Sequence, residues 1–271
     1  LTKKLSEGKT FINLHSENYS EKFSGHLLNS IGGVLEIFLE IEDRRDAFLL
    51  KHYMYFLLFF LSLISFYKIC MIRFEDWKLS LLGVLFLLLS PRILSNSFYD
   101  PKDLPFLSLL IFSIHFGLIF FNKISFRNAI FFSLFNALVI SGIRVYGLIS
   151  PILILSSIVL YLVVKKNLDL KKITIIFSVI CLTFIFSIIL KPYLWENPLI
   201  NFYKSIKYLG AFGNLWNVPN LFLGDIVYAK DVPWFYTPLW IIITTPFYYI
   251  ILFFVGIIFY LYNFFTNINI N

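Results

Sequence analysis

Charge is what this chain has least of. Asp, Glu, Lys and Arg make up only 14% of its 271 residues, where a soluble globular domain carries about 25%. That shortage excludes an ordinary soluble enzyme. Cysteine is scarce too: Cys70 and Cys181 are the only two, both at or within apolar stretches. They form no disulfide framework and have no metal-ligand spacing. The chain starts at Leu1 rather than Met, shows no signal peptide, and is read as a piece that has lost its original N-terminus. It has no Walker loop, no Rossmann glycine pattern and no Ser-His-Asp order, which disfavours a soluble nucleotide-sugar fold. Internal repeats and low-complexity linkers are also missing.

Apolar residues fill the space. The chain is 59% hydrophobic and 20% aromatic, with a mean hydropathy of +0.80. An all-α polytopic membrane protein is the class that fits. The net charge of +7 does not require nucleic acid, because Lys and Arg accumulate in short cytoplasmic loops of membrane proteins.

A membrane crossing needs about 20 apolar residues. Seven stretches qualify: 52–70, 79–95, 104–121, 128–143, 146–164, 173–191 and 237–262. Lys68, Arg73 and Lys78 follow the first, Lys123 and Arg127 the third, and Lys165, Lys166, Lys171 and Lys172 the fifth. These loops should be cytoplasmic. The opposite face then holds residues 1–51, the Asp100 to Asp103 segment, the Arg144 turn and a loop over 192–236. The domain reading follows: 1–51 as an outer-face loop with an interfacial helix, 52–262 as the transmembrane domain, and 263–271 as a cytoplasmic tail.

Residues 31–41 carry apolar side chains at helical spacing with Glu36, Glu40 and Glu42 on the polar side, which predicts an interfacial helix capped at Asn29-Ser30. Residues 197–209 set Leu199, Ile200, Tyr203, Ile206 and Tyr208 against Lys204 and Lys207, which predicts a second one. Trp195, Trp216, Trp234 and Trp240 suit an aromatic belt.

The segment Ser97-Phe98-Tyr99-Asp100-Pro101-Lys102-Asp103-Leu104-Pro105-Phe106 places two carboxylates and a lysine at a membrane boundary, where charge marks function by default. Pro101 and Pro105 start the third span near Leu104. Asp103 is expected to cap that helix, leaving Asp100 to point into a cavity. Paired carboxylates share a catalytic proton or bind a divalent cation. Arg92 sits near the outer end of its span, able to snorkel or to pair with either aspartate. His115 and Asn136, deep in their spans, are expected to hydrogen-bond neighbouring helices rather than bind metal. His52 reads as interfacial, His15 and His26 as loop residues, and Asp225 and Asp231 as acceptor-side or solvated.

With Ser90-Pro91-Arg92 before it, that segment resembles one found in bacterial polytopic glycosyltransferases of the GT-C fold, the grouping of glycosyltransferase family 39, the protein O-mannosyltransferases and the aminoarabinose lipid A transferases. Ser141-Gly142-Ile143-Arg144-Val145-Tyr146-Gly147 resembles the family's basic turn. Residues 45–67, with Lys51-His52-Tyr53, resemble its arginine-rich approach to a membrane helix. Lys191-Pro192-Tyr193-Leu194-Trp195, the run 232–240 and Thr244-Thr245-Pro246 resemble its later outer segments.

The resemblance implies an inverting transfer of a sugar from a polyprenyl-phosphate donor to a glycan, lipid or protein hydroxyl. It places the reaction on the periplasmic or extracellular face of the bacterial inner membrane. A carboxylate base is needed for the acceptor and a cation for the departing phosphate. Asp100, Asp103 and Glu36 are the catalytic candidates. Glu36 follows from Gly32-Gly33-Val34-Leu35-Glu36, similar to a family Gly-x-x-x-Glu stretch; Glu17 and Glu21 are the other outer-loop acids. Lys102, Arg144, Arg92 and Tyr99 are the substrate-binding candidates. A divalent cation, Mg or Mn, would sit on Asp100 and Asp103. The rival class is a membrane transporter or lipid-glycan flippase, which intramembrane charges and Pro-broken helices also suit.

Overall fold

The structure is a computed structural model that describes Gly25 and residues 27–210 and 219–268. It is helical nearly throughout, as a chain in lipid must be when each backbone donor and acceptor has to be satisfied within its own segment. His15, Glu17, Glu21, His26 and Trp216 lie outside the described residues. The chain divides into two units, Leu1–Gly210 and Ala211–Asn271, each described by itself.

The first unit runs α1 (Leu27–Phe38), α2 (Arg44–Phe74), α3 (Trp77–Leu88), α4 (Pro91–Asn96), α5 (Asp103–Asn122) and α6 (Phe126–Gly142). A 3-10 turn, Val145–Leu148, leads into α7 (Ile149–Val164) and α8 (Leu170–Leu190), and a second, Pro192–Leu194, into α9 (Pro198–Gly210). Side-chain caps set the starts of the long helices. Asp43 accepts from Arg45 N–H, Asp76 from Leu79 N–H and Asp169 from Lys172 N–H. Each satisfies a donor that the first helical turn leaves unpaired.

Four helical stretches are long and apolar enough to cross a membrane: Arg44–Phe74, Asp103–Asn122, Val145–Val164 and Leu170–Leu190. They correspond to four of the seven expected crossings. The expected crossing over 79–95 is broken. The helix ends at Leu88, Ser90 is extended and Pro91 starts a new six-residue helix, since the residue before proline is pushed out of the helical region. The stretch over 128–143 forms a 17-residue helix, slightly short for a full crossing. In the second unit, 237–262 is two helices, α10 (Tyr236–Thr244) and α11 (Phe247–Ile268), bent by 113°. Thr245 is extended before Pro246, and proline can neither donate to the first helix nor follow a helical residue comfortably. If this pair counts as one broken span, there are five.

The second unit also holds what the sequence did not announce, a two-stranded antiparallel hairpin of β1 (Pro219–Phe222) and β2 (Asp225–Tyr228). Its two-residue turn puts Leu223 at φ 54° and Gly224 at φ 97°, the positive-φ pair that tight hairpins require.

In the first unit α5 is the central post: half of its apolar window is buried, against 17% for that of α8. Phe120, Ala129, Phe132, Ile158, Leu162 and Val179 join α5, α6, α7 and α8 at one end. Leu28, Tyr55, Leu109, Val139 and Ile143 join α1, α2, α5 and α6 at the other. Small polar residues sit where helices meet, as expected without a hydrophobic drive between helices in lipid. Ser113 Oγ donates to Asn136 Oδ1 at 2.6 Å and lies 2.7 Å from Ser150 Oγ, tying α5, α6 and α7. His115 Nδ1 lies 3.2 Å from Ser65 Oγ on α2. Both His115 and Asn136 thus bond to neighbouring helices, as their depth in the spans predicted. Cys70 and Cys181 are free thiols.

Candidate functional site

Chain direction puts the N-terminal ends of α2 and α5, the C-terminal end of α6 and the Val145–Leu148 turn at one end of the first unit. The loops carrying Arg73 and Lys78, Lys123 and Arg127, and Lys165 to Lys172 fall at the other. The polar candidates gather at the first end, in two ion pairs.

The first pair is Asp103 with Arg144, Oδ1 to Nη2 at 2.5 Å. Asp103 stands in the first turn of α5, where a carboxylate is favoured by the helix dipole. Arg144 is the extended residue between α6 and the 3-10 turn. Gly147 allows that turn to lie against α6: a Cβ there would be 2.3 Å from a methyl carbon of Val139. The pair is open, with the Arg144 and Asp103 side chains 40% and 68% exposed. An open pair contributes only about 0.2–1 kcal/mol.

The two aspartates exchange the roles that their sequence positions suggested. Asp100 is the capping residue. Its Oδ1 accepts from the backbone N–H of Lys102 at 2.8 Å and of Asp103 at 3.0 Å. Pro101 and Pro105 cannot donate, and the N–H groups of Lys102 and Asp103 lie within reach of a side chain two or three residues upstream. Asp103 is thereby left to face Arg144 instead of capping.

Around them, Tyr99 is exposed and its hydroxyl donates to Asn96 Oδ1 at 2.6 Å. Phe98 stacks on Phe56 of α2, ring centroids 4.8 Å apart, which holds the loop against the bundle. Lys102 is half-buried at the start of α5, and its ammonium has no partner among the described residues. Arg92 is exposed at the start of α4.

The second pair is Glu36 with Lys51, at 2.7 Å. A helix forms where residues 31–41 predicted one, but over Leu27–Phe38, starting two residues before Asn29, so Asn29 and Ser30 lie in its first turn rather than capping it. Gly32 explains the pairing: a Cβ there would lie 3.3 Å from two carbons of the Lys51 side chain. The glycine lets the lysine stem cross α1 and deliver its ammonium to Glu36 one turn on. Glu36 is therefore neutralised by Lys51, and its side chain is mostly buried, 14% exposed. Tyr55, one turn after Lys51, donates to Asn29 Oδ1 at 3.0 Å. Its hydroxyl lies within electrostatic reach of both Asp100 and Glu36, which brings the two acidic positions to one locality. Lys51 was visible from sequence only within the Lys51-His52-Tyr53 run and Tyr55 was not singled out, although their i, i+4 spacing on an otherwise apolar helix carries the signal.

No group of three His, Cys, Asp or Glu side chains gathers among the described residues. Asp100 Oδ1 is occupied by backbone N–H groups, and the cation on Asp103 is a guanidinium. Among the described residues this donor set does not make a cage for Mg or Mn.

Lys191, just past the end of α8, is buried. Its ammonium reaches Ser205 Oγ of α9 at 3.4 Å, and burial lowers its pKa from 10.5 to about 8. On α9 the buried positions are the polar Asn201 and Ser205, whereas Leu199, Ile200, Tyr203 and Ile206 are exposed. The helix thus offers its apolar face outward, as an interfacial helix does.

Behind the Arg144 turn is a cavity of about 380 Å³. Its walls are Leu148, Pro151, Ile152 and Leu155 on one side, Val179, Ile180, Thr183, Phe184 and Ser187 of α8 on another, and Ile140 and Phe202. Two of its lining residues, Ile152 and Ile180, are exposed. Thr183 is one of its lining residues, and its hydroxyl is buried with no hydrogen-bond partner among the described residues. Thr174, Thr244 and Thr266 instead bond back to the carbonyl four residues earlier.

No protein-family model, no curated protein and no solved structure matches this chain.

Proposed function

We propose that this membrane protein is a glycosyltransferase that takes a sugar from a polyprenyl-phosphate donor and passes it, with inversion, to an acceptor hydroxyl. The observation that carries the reading is the adjacency of head and tail sites. Arg144 offers a guanidinium at one end of the first unit, and four residues later Leu148 begins the wall of an apolar cavity. A ligand with a phosphate head and a hydrocarbon chain meets both.

In the reaction, the acceptor oxygen bonds to the anomeric carbon while that carbon's bond to the phosphate oxygen breaks. The polyprenyl phosphate leaves with the bonding electron pair, and the acceptor proton passes to a carboxylate. Asp103, exposed beside Arg144, is the base in this scheme. Arg144 stabilises charge on the departing phosphate, for which a planar fork of donors suits it better than lysine. Asp100 holds the turn that presents Asp103, and Lys102 adds positive charge beside it. Glu36, neutralised by Lys51, fixes α1 over the site. The active face is periplasmic or extracellular and the membrane is the bacterial inner membrane, with a glycan, lipid or protein as acceptor.

The test uses protein reconstituted in liposomes with radiolabelled polyprenyl-phosphate sugars and a membrane-lipid and glycan extract. Wild type should transfer label to a new product. Asp103→Asn and Arg144→Ala should each lower transfer by at least 100-fold, the order expected for a general base or an oxyanion-stabilising group. No product from any donor, with facilitated movement of the labelled lipid across the bilayer instead, would favour the flippase.

A further inference from the structure

We infer that Asp103 competes with the donor's phosphate for Arg144, so that donor binding breaks the ion pair and frees the carboxylate that the reaction needs. The inference rests on the reading of Arg144 as the phosphate site and adds a coupling within it.

Three observations support the exchange. Asp103 is the ionic partner of Arg144, through a single oxygen and a single terminal nitrogen. Both side chains are open to solvent at 68% and 40%, so an incoming anion reaches the contact without moving a helix. Asp103 is also dispensable to the local fold. The start of α5 is capped by Asp100, and the Arg144 turn is held by its backbone, Arg144 N–H to Val139 O and Gly147 N–H to Arg144 O, both at 3.0 Å. Either partner can leave the pair with its backbone in place.

The chemistry sets the direction. A phosphate offers more acceptor oxygens and more charge than one carboxylate oxygen, and an arginine fork binds it by two parallel bonds. Two anions on one guanidinium repel, so phosphate arriving at Arg144 weakens the hold on Asp103. Before the donor arrives, the carboxylate's charge is directed at a cation and not at an acceptor hydroxyl. Afterwards it is free to take a proton. Acceptor activation would then wait for the donor, which limits unproductive chemistry at an open site.

The prediction runs against the usual behaviour of a catalytic-residue variant: removing the Asp103 charge should tighten donor binding. Farnesyl phosphate, a short polyprenyl phosphate with no sugar, is titrated into full-chain protein in nanodiscs at fixed pH and ionic strength. Wild type, Asp103→Asn, Arg144→Ala and the double variant are compared, with thermal unfolding of each as the folding control. Asp103→Asn should bind about three- to fivefold more tightly, the ratio that an exposed ion pair's strength allows. Arg144→Ala should bind more weakly, and adding Asp103→Asn to it should change nothing further, because the competition runs through that guanidinium. If Arg144→Ala weakens binding but Asp103→Asn binds no tighter than wild type, the exchange is overturned and the phosphate site stands. Binding that ignores Arg144→Ala overturns the phosphate site and the exchange together.

Discussion

Asp100 and Asp103 stand three residues apart, and either carboxylate is a plausible cap for the helix that follows. What separates them is reach. Asp100 lies before the turn and folds back onto two N–H groups. Asp103 is already in the helix, and its side chain projects to Arg144. Lys191 is a different case, an ammonium that burial disfavours, with its pKa lowered from 10.5 to about 8. Between those values the unfolded chain holds a proton that the folded protein has released, so stability rises with pH across that window. Below about pH 8 the burial penalty is present in full. Lys191→Met should therefore stabilise the protein at pH 7 by up to ~3 kcal/mol, at ~1.4 kcal/mol per pKa unit. The advantage over wild type should fade to near zero by pH 10.5. Thermal unfolding in detergent at stepped pH measures the difference, and a gap that does not change with pH would contradict this account.

At the scale of elements, the cavity behind Arg144 is lined from α7 and α8, with the small side chains of Thr183 and Ser187 among its walls. Filling it tests its use. Thr183→Trp should leave the helices intact and weaken binding of long-chain polyprenyl phosphate at least tenfold, with little effect on inorganic phosphate. Thr183→Val, nearly the same size, should bind the lipid as wild type does. Equal loss of both ligands in the Trp variant would mean a distorted site rather than an occupied cavity. The contrast also shows what the sequence could convey. The spans over 104–121, 146–164 and 173–191 were legible because each is a single apolar run of sufficient length, and α9 because its lysines recur at helical spacing. The breaks at Pro91 and Pro246 were visible as prolines, but hydropathy averaged over a window hides a bend. The cavity and the two ion pairs were not legible, because they depend on which helices are neighbours. Asp103 meets Arg144 across 41 positions, and Glu36 meets Lys51 because Gly32 leaves room for a lysine stem.

At the scale of the whole molecule, the first unit hides little apolar surface and leaves most of it outward, which is stable only where the surroundings are hydrocarbon. What orients such a chain is the asymmetry of its ends. Arg73, Lys78, Lys123, Arg127, Lys165, Lys166, Lys171 and Lys172 belong to the connections at one end. The Asp103–Arg144 and Glu36–Lys51 pairs, in which each cation is matched by an acid, belong to the other. The end whose connections carry this run of Lys and Arg should stay in the cytoplasm, with the Asp103–Arg144 end outside, where a donor presented on the outer leaflet can reach it. Single cysteines report this directly in a background carrying Cys70→Ser and Cys181→Ser. Tyr99→Cys and Asn167→Cys each replace an exposed residue, one at each end. A membrane-impermeant maleimide added to intact spheroplasts should label position 99 at once and position 167 only after permeabilisation. The opposite pattern would put the site in the cytoplasm and remove the argument for an outward-facing donor. Labelling of both from outside would mean that α7 and α8, or the helices before them, do not alternate across the membrane.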